Sequence, residues 1–253
     1  MSDCAGIRIL GIPGIGEIKP GDSLLSKLLD AIERAHLQPR EGDILVVKHK
    51  IVSKAERRVV PLQEVRPSAE ADAWAARHNL DGRVAELALR ESKRIVRQQG
   101  GVLITETHHG FVCANSGVDV SNVDGGLSAA LLPVDPDRSA TELHQALKKR
   151  LQLSIPVIIS DSFGRPWREG LCDVAVGVAG LLPLRDYRGM RDRHGYPLHA
   201  TVEAIADELA CAAGLVCGKL NDLPACIIRG FAFEPGGGKG ADLIRPAERD
   251  LFR

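Results

Sequence analysis

Short runs of β-branched and aliphatic residues alternate along the chain with longer stretches in which apolar residues recur at helical spacing. The runs that predict strands are IRILGI (7–12), ILVV (44–47), VLITET (102–107), VIIS (157–160) and PACIIRGF (224–231). The stretches that predict helices are 24–35, 68–98, 139–151 and 201–216. Asp22 or Ser23 is suited to cap the first helix, and Gly218 to end the last. This alternation predicts an α/β fold with a mixed sheet and flanking helices.

The sequence contains no clear linker, so residues 1–253 are expected to form a single unit. A glycine-rich run, GGGKGADLIRP, follows the last predicted strand. Because such a run has few apolar side chains to anchor it, the tail from about residue 235 is expected to be mobile.

Composition narrows the classes of partner. Lys and Arg number 33 and Asp and Glu also number 33, so no overall charge favours nucleic acid or an anionic membrane. No apolar run approaches the ~20 residues of a membrane span, and the amino terminus lacks the pattern of a signal peptide. The six cysteines form no C-x-x-C pair, which favours reduced, buried thiols in a cytoplasmic protein.

The first segment that contains candidate catalytic or metal-binding residues follows the predicted strand VIIS. Asp161 stands at the carboxyl end of that strand, where a carboxylate is well placed to hold a hard cation, and the Ser162 hydroxyl can add a second oxygen ligand. Arg165 and Arg168 can bind carboxylates or phosphates with two hydrogen bonds each. The alternative is that Asp161 caps a turn and the arginines are solvated. Residue chemistry alone gives the two interpretations equal weight.

Two further segments carry candidate ligands. In NSGVDVSNV (115–123), Asp119 is a candidate second metal ligand and Asn122 a candidate contact to a phosphate or a base, although these residue types are also typical of turns. In KHKIVSKAE (48–56), three lysines follow the strand ILVV and can neutralise a triphosphate, with Lys54 as the foremost contact. A run of charges is more often a solvated face.

Other suggestive segments lack the required context. The turn Gly14-Ile15-Gly16-Glu17-Ile18 does not have the G-x-G-x-x-G spacing of a dinucleotide site. The run Gly236–Lys239 is not a P-loop, because Gly240 stands where Ser or Thr is needed. The pair His108-His109 has no partner at metal-ligand spacing and is expected to be structural.

Five segments, taken in order, resemble the coenzyme F-420:L-glutamate ligase family. They are VSKAE, NSGVDVSNV, SDSFGRPWREG, DYRG…DRHG and ADELACAAGLVCGK, and the resemblance runs from the first strand to about Phe231. It implies GTP-dependent ligation of L-glutamate to glutamate-free coenzyme F-420, with possible further gamma-linked additions, and a requirement for Mg²⁺ or Mn²⁺. It also implies a subunit of two interlocked lobes and an intertwined homodimer.

The resemblance assigns roles by position in this sequence. Asp119 and Asp161 match metal ligands, and Ser162 matches a ligand of a second metal. The positions that match nucleotide contacts are Ile15, Gly16, Glu17, Ile18, His49, Lys50, Lys54, Asn122, Cys217, Gly218 and Lys219. Two departures stand out: Gly16 replaces a common proline, and Lys219 replaces an acidic metal ligand of some members. A protonated lysine cannot ligate a metal, so Lys219 is a candidate contact to phosphate.

The expected chemistry follows from the poor reactivity of a carboxylate as an acyl donor. Activation as an acyl phosphate, with the γ-phosphate of GTP as donor, is the simplest route, and metals and cationic side chains then offset the charge of the triphosphate. Asp161, Lys54, Arg165 and Arg168 are the expected catalytic residues, the arginines as ligands of the glutamate carboxylates. The alternatives are a metal-dependent nucleotide phosphohydrolase and a non-catalytic deazaflavin- or nucleotide-binding subunit.

Overall fold

The computed structural model describes residues 6–251 and confirms the expected mixed α/β architecture. The strands are β1 (Arg8–Gly11), β2 (Ile44–Lys48), β3 (Val59–Pro61), β4 (Ser92–Gln99), β5 (Val102–Thr107), β6 (Val112–Ala114), β7 (Ser128–Ala130), β8 (Val157–Arg165), β9 (Arg168–Ala179), β10 (Arg185–Asp186), β11 (Val202–Glu203) and β12 (Ala225–Arg229). The α-helices are α1 (Leu24–Arg34), α2 (His49–Ala55), α3 (Ala69–His78), α4 (Gly82–Arg90), α5 (Pro136–Leu151) and α6 (Ile205–Cys217).

The main sheet has the strand order β1-β12-β2-β8-β9. Its central pair, β2 and β8, is parallel, and the other neighbouring strands are antiparallel. Because side chains alternate between the faces of a strand, Leu45 and Val47 join a core with α1 and α5, whereas Ile44 and Val46 join a core with α6. The sheet therefore lies between two apolar layers, as the β-branched runs predicted.

A smaller lobe is built around a third apolar core. Helices α3 and α4 pack on the three-stranded sheet β4-β5-β6, with Trp74, Leu87 and Leu103 among the buried residues. Arg58 links this lobe to the preceding chain, since its Nη2 lies 2.6 Å from Oε2 of Glu91. The chain thus contains a larger lobe around the main sheet and a smaller α/β lobe with its own core.

Three predicted elements differ from those observed. The helical stretch 68–98 contains two helices and then β4, because Asn79 in the left-handed region ends α3 and the segment from Ser92 pairs with β5. Strand β8 continues past Asp161 to Arg165, since it is paired along its length with β9. The last helix begins at Ile205, not near residue 201. The first helix agrees with its prediction: Ser23 is its N-cap and accepts a hydrogen bond from the Ser26 amide.

The glycine-rich tail, for which the sequence predicts mobility, has defined contacts in the structure. The amide of Gly240 donates to Oδ1 of Asp137 at 2.6 Å, and Leu243 packs against the core on the α6 side. A Cβ on Gly238 would lie 2.6 Å from the Leu181 carbonyl, so the run passes close to neighbouring backbone. Its placement therefore depends on small residues.

Two findings bear on the expected class of protein. No helix within residues 6–251 is long and apolar enough to cross a membrane. The five cysteines in that range are free thiols, three of them buried and two partly buried; Cys4 lies outside the described residues.

A buried ion pair links β12 to the start of β2. Asp43 is 1% exposed, and Arg229 donates from Nε and Nη2 to its two carboxylate oxygens at 2.7 Å each.

We expect Arg229→Met to lower the free energy of unfolding by about 3 kcal/mol, because it leaves a buried carboxylate without its cation. Chemical denaturation measures this change. The matched control, Arg150→Met at the exposed end of α5, should unfold like the parent, and equal stability of both variants would contradict the prediction.

Candidate functional site

A cavity of about 600 Å³ opens beside the carboxyl end of β2 and the middle of β8. Five separate parts of the chain line it: the loop after β1, the junction of β2 and α2, the loop before β7, strand β8, and the end of α6 with the loop that follows. The lining residues are Gly14, Gly16, Glu17, Ile18, Lys48, His49, Lys50, Ile51, Lys54, Asn122, Asp161, Ser162, Cys217, Gly218, Lys219, Asp222, Leu223 and Pro224. Most of the residues predicted from the sequence therefore lie around one space.

The lysine-rich segment after β2 forms the short helix α2, which the sequence did not predict. Its first residue, His49, is buried, and Nε2 of His49 lies 3.2 Å from Oδ1 of Asp161. This nitrogen has no well-aligned hydrogen-bond acceptor among residues 6–251. A buried ring nitrogen in this position orients the carboxylate and leaves room for another group beside it.

Asp161 is poised to remain ionised. Burial by itself raises its pKa, but the close contact with His49, the hydrogen bond from the Ser162 amide and the charge of Lys50 lower the pKa overall. The amide of Ser162 donates to Oδ1 of Asp161 at 2.7 Å. A carboxylate that stays charged while only 14% of its side chain is exposed is a strong ligand for a cation.

Asp119 does not line the cavity directly but is joined to it through Lys50. Nζ of Lys50 lies 2.7 Å from Oδ2 of Asp119 and donates to the Ser121 carbonyl at 2.7 Å. Burial raises the pKa of Asp119, and the hydrogen bonds from Lys50 and the Ser121 amide lower it overall. The charge of Lys50 also lowers the pKa of Asp161, so this one lysine acts on both of the carboxylates that the sequence singled out.

A second network surrounds Ser162 and includes a residue that the sequence analysis missed. Asp173 stands directly opposite Ser162 in β9, and the Ser162 hydroxyl donates to its Oδ1 at 2.5 Å. Oδ2 of Asp173 pairs with Nζ of Lys48. Nζ of Lys219 donates to the Ser162 hydroxyl oxygen at 2.9 Å. One sequence signal was available: Asp173 is a lone carboxylate in the apolar run CDVAVGVA, and a buried carboxylate needs a partner.

The loop after β1 closes one side of the cavity. Gly14 and Gly16 have φ of +73° and +74°, which turns the backbone where a side chain would be strained. Ile15 points into the core instead of the cavity and is 3% exposed. Oε1 of Glu17 lies 2.7 Å from Nζ of Lys54, so this loop is tied to α2.

The end of α6 closes the opposite side. Gly218 ends the helix with φ of 56° and ψ of −161°, a conformation that is essentially restricted to glycine. The next residue, Lys219, accepts a hydrogen bond on its carbonyl from Nδ2 of Asn122 at 3.3 Å. The chain reversal at Gly218 therefore directs Lys219 towards both Ser162 and the loop before β7.

Other predicted residues lie elsewhere. Arg165 and Arg168 do not line the cavity; they flank the turn between β8 and β9, where Nη2 of Arg165 donates to the Glu169 carbonyl at 2.5 Å. His108 and His109 contact backbone carbonyls, the first that of Arg90 at 3.0 Å, as expected of structural residues.

The charges around the cavity suit a polyanion together with a hard cation. Four lysines line it, Lys48, Lys50, Lys54 and Lys219, and lysine is a common ligand of phosphate. No group of three or more His, Cys, Asp or Glu within residues 6–251 is arranged to hold a metal without further ligands. Carboxylate oxygens such as those of Asp119 and Asp161 are of the kind that Mg²⁺ or Mn²⁺ prefers, and such an ion can take its remaining ligands from phosphate oxygens and water.

Comparison with known proteins finds one family and several relatives whose sequences match this chain. The sequence profile of the F420-0:Gamma-glutamyl ligase family matches residues 14–230. The chain is 44% identical over 253 residues to the Coenzyme F420:L-glutamate ligase of Methanothermobacter thermautotrophicus, covering 98% of this chain and 99% of that protein. It is 42% identical over 252 residues to the enzyme of that name from Methanopyrus kandleri, covering 98% of each chain. With the enzyme of that name from Methanocaldococcus jannaschii the identity is 45% over 214 residues, 84% of this chain and 85% of that one.

The matched residues include every segment that lines the cavity, from the glycine turn after β1 to the loop after α6. Identity above 40% over nearly the full length of relatives excludes a merely local similarity. The chain belongs to the F420-0:Gamma-glutamyl ligase family.

Proposed function

We propose that this protein is a GTP-dependent ligase that joins L-glutamate to glutamate-free coenzyme F-420. The observation that carries the proposal is the convergence of four lysines with Asp161 and Ser162 in one cavity of about 600 Å³. A ligase that combines a triphosphate with two acidic substrates must offset a dense negative charge, and this cavity supplies the cationic groups to do so. Further gamma-linked additions of glutamate belong to the same proposal.

The nucleotide is proposed to bind along the line from the β1 loop to α2. Gly14 and Gly16 leave backbone groups accessible there, and Lys54 exchanges its partner Glu17 for phosphate oxygens. Asn122 and the segment Cys217–Lys219 form the opposite wall. In this arrangement the phosphates lie over the lysines near Asp161.

The proposed reaction has two steps. A carboxylate oxygen of the coenzyme attacks the γ-phosphorus of GTP, the bond to the bridging oxygen breaks, and GDP leaves while an acyl phosphate forms. The amine of glutamate then attacks the acyl carbon, phosphate leaves with the bonding electrons, and the nitrogen loses a proton as the amide forms. Lys50 and Lys54 hold the phosphate oxygens in place during the first step.

A divalent cation is proposed to be held by Asp119 and Asp161. Its chemistry, when bound, is to neutralise phosphate oxygens and orient them for in-line attack. Lys50 pairs with Asp119 in the structure, so the lysine would exchange this partner for phosphate oxygens if Asp119 held a cation. His49 keeps Asp161 oriented throughout, because its ring is buried against that carboxylate.

The homodimer implied by the resemblance and the cytoplasmic location inferred from the cysteines are also proposals. The ribbon formed by β8 and β9 exposes Leu171, which is 62% accessible, close to the turn that carries Trp167. Such apolar exposure on a projecting ribbon is compatible with contact to a second copy. Light scattering that gives the mass of a single chain would contradict the dimer.

The ligase proposal is tested by incubating the protein with glutamate-free coenzyme F-420, glutamate, GTP and Mn²⁺ and measuring the masses of the products by mass spectrometry. We expect mass increments of one or more glutamyl units. Asp161→Asn, which keeps the size of the side chain but removes its charge, should slow this reaction by roughly 100-fold or more. Replacement of GTP by ATP in the same assay tests the choice of nucleotide.

The matched control is Asp30→Asn, on the exposed face of α1, which should leave the rate unchanged. Consumption of GTP at full rate without coenzyme or glutamate, and without a mass increment, would support a phosphohydrolase instead. Tight binding of coenzyme or nucleotide without turnover would support a binding subunit.

The arginines at the β8–β9 turn are proposed to hold the carboxylates of glutamate. Arg165→Ala and Arg168→Ala should each raise the apparent KM for glutamate, with a smaller effect on kcat, because they remove uniform binding of that substrate. Initial rates at varied glutamate measure both constants, with Arg150→Ala as the control. Neither arginine lines the cavity within one chain. Unchanged glutamate kinetics in both variants would contradict this role.

A further inference from the structure

The two faces of β8 carry opposite local charge at the cavity. Asp161 points to the side of α2, where its carboxylate and that of Asp119 face the one ammonium group of Lys50. Ser162 points to the side of α6, where Lys48 and Lys219 give two ammonium groups to the one carboxylate of Asp173. The first face attracts a cation, and the second attracts an anion.

The Ser162 hydroxyl is already engaged. Its proton is donated to Asp173 at 2.5 Å, a short hydrogen bond of the kind formed with a charged acceptor, and its oxygen accepts from Lys219 at 2.9 Å. A serine oxygen has two acceptor positions, so Lys219 fills one of them. A divalent cation that used this oxygen would lie beside the Lys219 ammonium and near that of Lys48, which opposes its binding.

Asp173 cannot readily turn away to supply a metal ligand instead. Both of its carboxylate oxygens have partners, Ser162 and Lys48. The carboxylate also lies against α6 at Gly214, where an added Cβ would stand 2.3 Å from Oδ2 of Asp173. The Sγ of Cys211 donates to the Asp173 carbonyl at 3.0 Å, which fixes the backbone of β9 at the same point.

We propose that the ammonium group of Lys219 replaces a second divalent cation, so that this protein binds one divalent cation per chain with its nucleotide. The residues on the Asp161 face fit a hard cation, and those on the Ser162 face do not. Nζ of Lys219 has two further protons beyond the one given to Ser162, and these can be donated to phosphate oxygens of a nucleotide in the cavity. This inference rests on the proposed nucleotide site, and it concerns how phosphate charge is neutralised there.

The test is equilibrium dialysis of the protein against Mn²⁺ and GDP, with both retained species counted against a protein-free compartment. We expect about one Mn²⁺ per chain for the parent and about two for Lys219→Glu, which removes the ammonium and supplies an oxygen ligand. Lys149→Glu changes the net charge equally at an exposed position on α5 and should retain about one.

Two Mn²⁺ in the parent would overturn the inference, and so would a Lys219→Glu variant that still retains one. Lys219→Gln is dialysed alongside, since it removes the charge without adding a second carboxylate next to phosphate; it too should retain about two. One ion with this variant would likewise count against the role of Lys219. The count needs no coenzyme, glutamate or turnover, so it stands apart from the outcome of the ligase assay.

Discussion

The parallel pairing of β2 with β8 is the constraint on which the site depends. Its register places Lys48 opposite Ser160, so His49, which follows β2, and Asp161, which is the next residue of β8, come within 3.2 Å of each other. A shift of one residue would turn His49 and Asp161 to opposite faces and would also exchange the two apolar layers of the sheet. The cores on both faces therefore fix the register, and the register fixes the histidine against the carboxylate.

Three of the four lysines around the cavity are held by carboxylates in the structure. Lys50 pairs with Asp119, Lys54 with Glu17, and Lys48 with Asp173. The first two pairs lie on loops or helix ends, and the third is built into the strands. Polyanion binding thus requires an exchange of partners at α2, whereas the strand pair keeps its geometry. Charged groups that rigid strands already hold in place need little reorganisation when charge develops during phosphoryl transfer.

Local patterns in the sequence predicted four of the five strands of the main sheet, all but β9, and the polar candidates after β2 and in β8, because an apolar run and the polar residues after it are adjacent in the chain. The contacts in the glycine turn after β1 and at the end of α6 were expected from the family resemblance. Asp173 was missed since its partner Lys48 is 125 residues away, and no local pattern reports such a pair. Strand β4 was predicted as helix because its residues, SKRIVRQQ, are largely exposed and lack the period of two that marks a half-buried strand. The helix α2 is too short to show its own periodicity.

The placement of Asp161 and Ser162 on opposite faces of one strand has an evolutionary consequence. Neighbouring residues in a strand are held by different surroundings, here α2 for the carboxylate and α6 for the hydroxyl. A substitution behind one face can accumulate without displacing the ligand on the other. The side chain at the end of α6 can therefore change without displacing the carboxylate that lies against His49.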